Sequence, residues 1–222
     1  MKGRIEIVME QMASQPVARR SQTQRREEMR QRLAAATLDA LAEHGHAGAS
    51  LSVILARAGV SRGAWSHHFE TKAEMLALAA EGLLRDAIIA ARTLALPLPA
   101  DMSDPAARLS ALLEMAWGRF YQGRHRDLLF EVVLAARTDA ELRARLAPIF
   151  DAFIGEVGQG WGMALAPSPQ RGAAMADLMV LTVYMLRGMA MQELAAGDTP
   201  HHAALRRLWV DMLIGFPAPP AT

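Results

Sequence analysis

Apolar residues recur along this chain at helical spacing, and polar caps and breakers fall between the runs. Met29, Leu33, Ala36, Ala40 and Leu41 make one stripe and predict a first helix over about 24–44, stopped by Gly45. Leu51, Ile54 and Leu55 face one way behind Ser50, a good N-cap, and predict a short second helix. Gly59 ends it, because a residue without Cβ can take the positive φ of a tight turn. Ser61 caps a third helix at about 62–68, with Trp65 and Phe69 as buried anchors. Thr71 and Glu74 have capping-box spacing and open a long fourth helix to about Arg92.

The clearest break is "LALPLPADMSDP", with its three prolines. Asp104 then caps and Pro105 takes the first helical position of a helix striped by Leu109, Leu112, Leu113, Ala116 and Phe120. A shorter helix is expected over about 125–136. Thr138 and Glu141 suggest a second capping box, opening a helix to about Trp161. Ser168 and Pro169 start another, to Ala196 before Gly197, and Thr199 and Pro200 start the last, which fades near Gly215. No stretch alternates with period two and no long repeat occurs. The expected fold is therefore all-α, with about nine helices: three short-spaced ones first, then a larger helical bundle. Three regions follow: a flexible basic arm at 1–22, a helix-turn-helix unit at 23–72, and a ligand-binding and dimerisation unit at 73–222.

Composition agrees with a helical globular protein. Of 222 residues 52% are hydrophobic and 21% charged, which argues against disorder. There is no cysteine, which excludes disulfides, thiol catalysis and Cys-ligated metals and suits a reducing cytoplasm. No apolar run is read as membrane-spanning, and the start lacks the apolar core of a secretory signal. Net charge is +1, but residues 14–75 carry nine basic and six acidic side chains, with the basic ones crowded toward the N-terminal end. That distribution suits phosphate contact as well as it suits a solvated face.

Two short helices joined by a glycine-containing turn form the helix-turn-helix pattern, whose second helix must be short and exposed on one face to enter a major groove. The stretch "SLSVILARAGVSRGAWSHHFETKAEML" also resembles the DNA-binding segment of TetR-family transcriptional regulators. Ala58, Gly59, Val60, Ser61, Gly63, His68, Phe69, Lys72 and Leu76 carry the resemblance, which covers about residues 25–80. It implies phosphate contacts from Ser50 and Lys72 and a DNA-facing stretch of Ser61, Arg62, Ala64, Ser66, His67 and His68. Arg62 has the fork to pair with guanine and Ala64 the methyl to meet thymine. Ser66 departs from the family pattern, which usually has a tyrosine there, so either His67 takes over its backbone contact or the helix sits closer to the groove. Leu55 replaces a usual alanine.

Other readings of the same residues are weaker. His67 and His68 point about 100° apart on a helix, which does not suit joint metal ligation. Glu43 and His46 straddle a helix-breaking glycine, and no second Glu-x-x-His set exists. No metal and no cofactor are therefore expected. The second half is rich in Met and aromatic residues, a lining that adapts to apolar ligands. The resemblance implies an effector site there, and Trp117, Tyr121, Phe130 and Met179 are its expected lining; His125 and Arg187 are candidate polar handles that otherwise read as surface groups. Leu205, Leu208, Trp209 and Met212 stripe the last helix and Met185 the one before it, as expected of a homodimer interface. The implied function is a regulator, a repressor released from a palindromic double-stranded operator by a small, largely apolar effector. The competing classes are an all-α sensor that does not bind DNA and an all-α enzyme.

Overall fold

A computed structural model describes residues 21–94, 103–161, 169–197 and 199–215, the side chains of 159–161 and 169–173 excepted. Residues 1–20 of the expected arm and 95–102 of the proline-rich break lie outside the described residues. Within them the chain is wholly helical: α1 (Gln22–Gly48), α2 (Leu51–Ala58), α3 (Arg62–Ser66), α4 (Lys72–Thr93), α5 (Pro105–Phe120), α6 (Gly123–Thr138), α7 (Ala140–Gly155), α8 (Pro169–Ala196) and α9 (Pro200–Ile214). A π-helical segment, Glu156–Trp161, continues α7.

Local signals explain most boundaries. Ser21 and Gln24 form a full capping box, so α1 starts two residues before the apolar stripe suggested. Gly45 breaks the helix with φ 66° and ψ 176°. Ser50, Ser61 and Asp104 each accept a hydrogen bond from the first turn of the helix that follows. The Thr138–Glu141 box is not formed. Thr138 instead donates to the Ala135 carbonyl within the last turn of α6, and Asp139 caps α7 by accepting from the Leu142 N–H at 2.9 Å. Helix α6 runs on to Thr138, which makes Asp139 the C-cap of one helix and the N-cap of the next.

Two hydrophobic clusters organise the molecule. The first joins α1–α3 to the N-terminal half of α4 and to α6 and α7: Leu33, Ile54, Trp65, Phe69 and Met75 pack with Leu128, Val132 and Leu146. The head carrying α2 and α3 therefore shares its core with the body, across the functional boundary drawn near residue 72. Each fully buried Leu, Ile or Met there stabilises the fold by about 2 kcal/mol. The second cluster fills the body, with Leu109, Leu113, Trp117, Phe120, Phe153, Met179 and Leu186. Helix α4 crosses from one cluster to the other, packing on α1 at its start and on α7 along its length.

Residues Ala174–Ala196 of α8 correct one sequence reading: this stretch is long and apolar enough to cross a membrane by length and composition. In the fold one of its faces is seated in the second cluster through Met179, Val183, Leu186 and Met189. Its buried Glu193 accepts from Gln122 at 3.1 Å and meets His202 Nδ1 at 2.9 Å.

Candidate nucleic-acid interface

The turn between α2 and α3 is built from backbone. Gly59 takes φ 62° and ψ 39° as the C-cap of α2, and its N–H bonds back to the Ala56 carbonyl. A Cβ at this position would be strained by that φ and would stand 3.0 Å from Arg32 Nη2. Val60 is half-buried beneath the turn, and its N–H bonds to the Leu55 carbonyl. Ser61 Oγ then accepts from the Ala64 N–H at 3.2 Å and starts α3.

Helix α3 is shorter than its sequence suggests. It ends at Ser66, with His67 as C-cap, and the next two N–H groups both turn back to the Trp65 carbonyl. Trp65 and Phe69 are buried, as anchors must be. Arg62, Ser66 and His67 are exposed and Ala64 is partly so, which leaves all four open to solvent. The Ser66 hydroxyl is already engaged: it donates to the Gly63 carbonyl at 2.8 Å. Next to it, His67 is the longer side chain left facing solvent.

His68 stands apart from that outward group. It is half-buried, its Nδ1 has no hydrogen-bond partner, and it faces Arg25, Arg26 and Met29 at the start of α1. Burial, together with the charges of Arg26, Arg30 and His67, holds its imidazole below the ordinary histidine range. Ser50 and Lys72 sit at the starts of α2 and α4. Ser50 Oγ accepts from the Val53 N–H at 3.3 Å and lies 2.9 Å from Ser52 Oγ. Lys72 is the first residue of α4, and burial lowers its ammonium from the ordinary value. An anion at that helix start would meet free N–H groups, the helix dipole and this ammonium together.

One residue that sequence reasoning missed holds α3 in place. Arg30 of α1 donates from Nη1 to the His68 carbonyl at 2.5 Å and pairs with Glu74 Oε1 at 3.3 Å. Its guanidinium also lies 4.3 Å from the Phe69 ring centroid. The other Glu74 oxygen accepts from the Glu70 N–H at 2.9 Å, while the Glu74 N–H donates to Thr71 Oγ1 at 3.0 Å. The expected Thr71–Glu74 box is thus formed on one side only, and the glutamate's return contact goes to Glu70 and Arg30. Helices α1 and α4 together clamp the segment that follows α3. Further polar links tie α1 to the body: Arg124 to Asp39 at 2.5 Å, and the His46 N–H to Glu131 Oε2 at 2.5 Å.

The body holds the remaining sequence-selected residues. Trp117, Tyr121, Phe130 and Met179 are all buried in the second cluster. A small cavity between the two clusters is lined by Tyr121 but by none of the other three; Leu84, Phe120, His125, Leu129, Phe153 and Arg187 complete most of its wall. His125 and Arg187 are thus half-buried in this wall rather than free surface groups. Phe130 lines a separate, larger groove of about 510 Å³ with Leu41, Glu131 and Met191.

The expected dimer residues divide. Leu208 and Met212 of α9 are exposed at 55% and 57%. Leu205, Trp209 and Met185 pack partly against the chain's own core, and the Trp209 indole donates to Thr182 Oγ1 at 2.8 Å. On α8 the exposed apolar residues are ones the sequence reading passed over: Leu181, Tyr184, Met191 and Leu194. They recur at helical spacing on the face away from Met179 and Leu186.

Comparison with known proteins agrees with this geometry. Residues 33–79 match the model of the family described as bacterial regulatory proteins, tetR family. An HTH-type transcriptional regulator of Mycobacterium tuberculosis is 36% identical over 138 residues, covering 62% of this chain and 68% of that protein. The HTH-type transcriptional regulator CymR of Pseudomonas putida is 30% identical over 195 residues, covering 85% and 90% respectively. Among solved structures, a transcriptional regulator from Rhodococcus sp. Rha1 superposes with a TM-score of 0.58 at 27% identity, over 84% of this chain and 94% of that one. FadR from Bacillus subtilis, solved in complex with stearoyl-CoA, has a TM-score of 0.60 over 83% of this chain and 97% of its own. At 14% identity FadR shows a shared fold alone. With its helix-turn-helix, its outward α3 and these relatives, the chain belongs to the TetR family of DNA-binding transcriptional regulators.

Proposed function

We propose that the protein is a homodimeric repressor that leaves a palindromic operator when a small, largely apolar effector enters the body. Each subunit lays α3 in the major groove of one half-site. Arg62 reads guanine, Ala64 meets a thymine methyl, and Ser50 and Lys72 hold phosphates on either side. His67 takes the backbone contact that Ser66, with its hydroxyl turned onto Gly63, does not reach.

The observation that carries the dimer is the apolar surface left open on α8 and α9. Leu181, Tyr184, Met191, Leu194, Leu208 and Met212 are all exposed by more than 40%. A self-complementary contact about a two-fold axis would cover them and set the distance between the two α3 helices. Support for effector control comes from the cavity at the seam of the two clusters. Leu84 and Leu129 of its wall belong to the head's core, and Phe120, Tyr121 and Phe153 to the body's. An effector that favours an opened seam would shift α4, and with it the head, toward a spacing that no longer fits the operator.

The double variant Leu208→Glu, Met212→Glu tests the reading. Sedimentation should find two chains per particle for the parent and one for the variant, with operator affinity lower by about 100-fold through loss of the linked second half-site. A monomeric parent, or a monomeric variant that binds DNA as well as the parent, would overturn the dimeric mechanism.

A further inference from the structure

The seam cavity contains a cation whose chemistry neither the fold nor DNA binding uses. Arg187 Nε is buried and without a hydrogen-bond partner. Its guanidinium stands 5.8 Å from the ring centroids of both Phe150 and Phe153, and no ion pair to it is found among the described residues. Other inward arginines are matched: Arg206 grips Glu114 through two bonds of 2.8 and 2.9 Å, Arg145 grips Glu81 at 2.8 and 3.1 Å, and Arg30 pairs with Glu74. A half-buried guanidinium whose Nε is buried without a partner and which lacks a counter-ion costs stability, and a site that keeps one is poised to take its partner from outside.

The groups around Arg187 define what that partner carries. Burial pushes the Tyr121 phenol up to about 12, partly offset by the nearby Arg187 charge, so it stays protonated and able to donate. His125 is held neutral at physiological pH, chiefly by burial and further by Arg119, against the opposing pull of Asp86. The cavity thus offers one positive charge and a neutral donor within apolar walls.

We propose that this cavity binds a monoanionic acid with an apolar body, its carboxylate paired with the Arg187 guanidinium and the Tyr121 hydroxyl, and its body between Leu84, Phe120, Leu129 and Phe153. This deepens the effector reading above and rests on it by naming the effector's chemical class. The cavity is nearly filled by its own walls in this structure, with free room of about 10 Å³, enough for one water at most. Entry of an acid must part the head-core wall, Leu84 and Leu129, from the body-core wall, Phe120, Tyr121 and Phe153. That movement separates the same walls that join head to body.

The test uses the full chain, calorimetry at pH 7.5, and matched probes: octanoate with octanamide, and 4-phenylbutanoate with 4-phenylbutanamide. At least one acid should bind about tenfold or more tightly than its amide, the worth of one charge-assisted contact. Arg187→Met should abolish that preference. Tyr121→Phe should weaken the acid and leave the amide unchanged, which provides a second reading if Arg187→Met does not fold. Equal binding of acid and amide, no binding of either acid, or a preference that survives Arg187→Met and Tyr121→Phe would overturn the proposal. The same acid is then added to the protein–DNA complex. If it binds the cavity but leaves that complex intact, the acid site stands and the effector reading falls.

Discussion

The clamp behind α3 and the seam hold their arginines in opposite ways. Behind α3, Arg30 is bonded to Glu74 and to the His68 carbonyl and lies over the Phe69 ring, and Glu74 reaches Glu70 in turn. Every element of that clamp has a partner, so one position of α3 is favoured before any DNA arrives. At the seam, Arg187 has two aromatic rings and a phenol nearby but no carboxylate among the described residues. A satisfied network rigidifies, and an unsatisfied one leaves free energy to be gained by a ligand. The contrast assigns preorganised reading to the head and responsiveness to the seam.

The sharpest way to break the contrast is to loosen the head alone. Arg30→Met strands Glu74 and frees the His68 carbonyl, and should cost about 2–3 kcal/mol of stability, the scale for losing charged, partly buried hydrogen bonds. Operator affinity should fall with little change in base preference, because α3 is displaced as a whole. Thermal melting beside a binding titration on point-changed operators checks both, and an unaltered melt would remove Arg30 from the account.

Two smaller effects separate reading from gripping within the head. Arg62→Ala should cost about 1–3 kcal/mol at particular base positions and relax preference there. A uniform loss across sequences would reassign it to the backbone. Lys72→Ala should weaken operator and random DNA alike and lower the slope of log affinity against log salt by about 1. An unchanged slope would deny Lys72 a phosphate.

The smallest expected effect belongs to the seam. His125 has its pKa lowered in the fold, so above the ordinary histidine value near 6.5 it is neutral in both folded and unfolded chains. As pH falls below that value the unfolded chain takes up the proton first, and stability declines until the folded pKa is passed. Melting temperatures between pH 7.5 and 5 should therefore drop less steeply in His125→Gln than in the parent. Parallel curves would show that His125 does not titrate differently in the two states.

The parts of this protein that were legible in its sequence are those fixed by neighbours within four residues. Ser50, Gly59 and Ser61 set the helix-turn-helix through caps and one positive φ, and each acts on its own turn. Even here adjacent signals competed: Asp139 caps α7 in place of Thr138 because α6 runs two residues past its expected end, to Thr138. The Arg30 contacts reach 38 and 44 residues along the chain, and no local pattern marks their partners. Helix α8 was the hardest to orient because it is apolar on several faces. Its periodicity does not distinguish the chain's own core, which takes Met179, Leu186 and Met189, from an interface, and it gives no reason to turn Arg187 toward the cavity. The cavity itself joins α4, α5, α6, α7 and α8, a juxtaposition that only tertiary packing creates.

The central claim is that two preorganised α3 helices read one symmetric site. It is tested most directly by selecting bound sequences from a random double-stranded DNA pool with the full chain. The account predicts enrichment of a palindrome whose half-site centres lie about one helical turn, 34–36 Å, or a multiple of it apart. Enrichment of no sequence, or of a single half-site without its inverted mate, would contradict it.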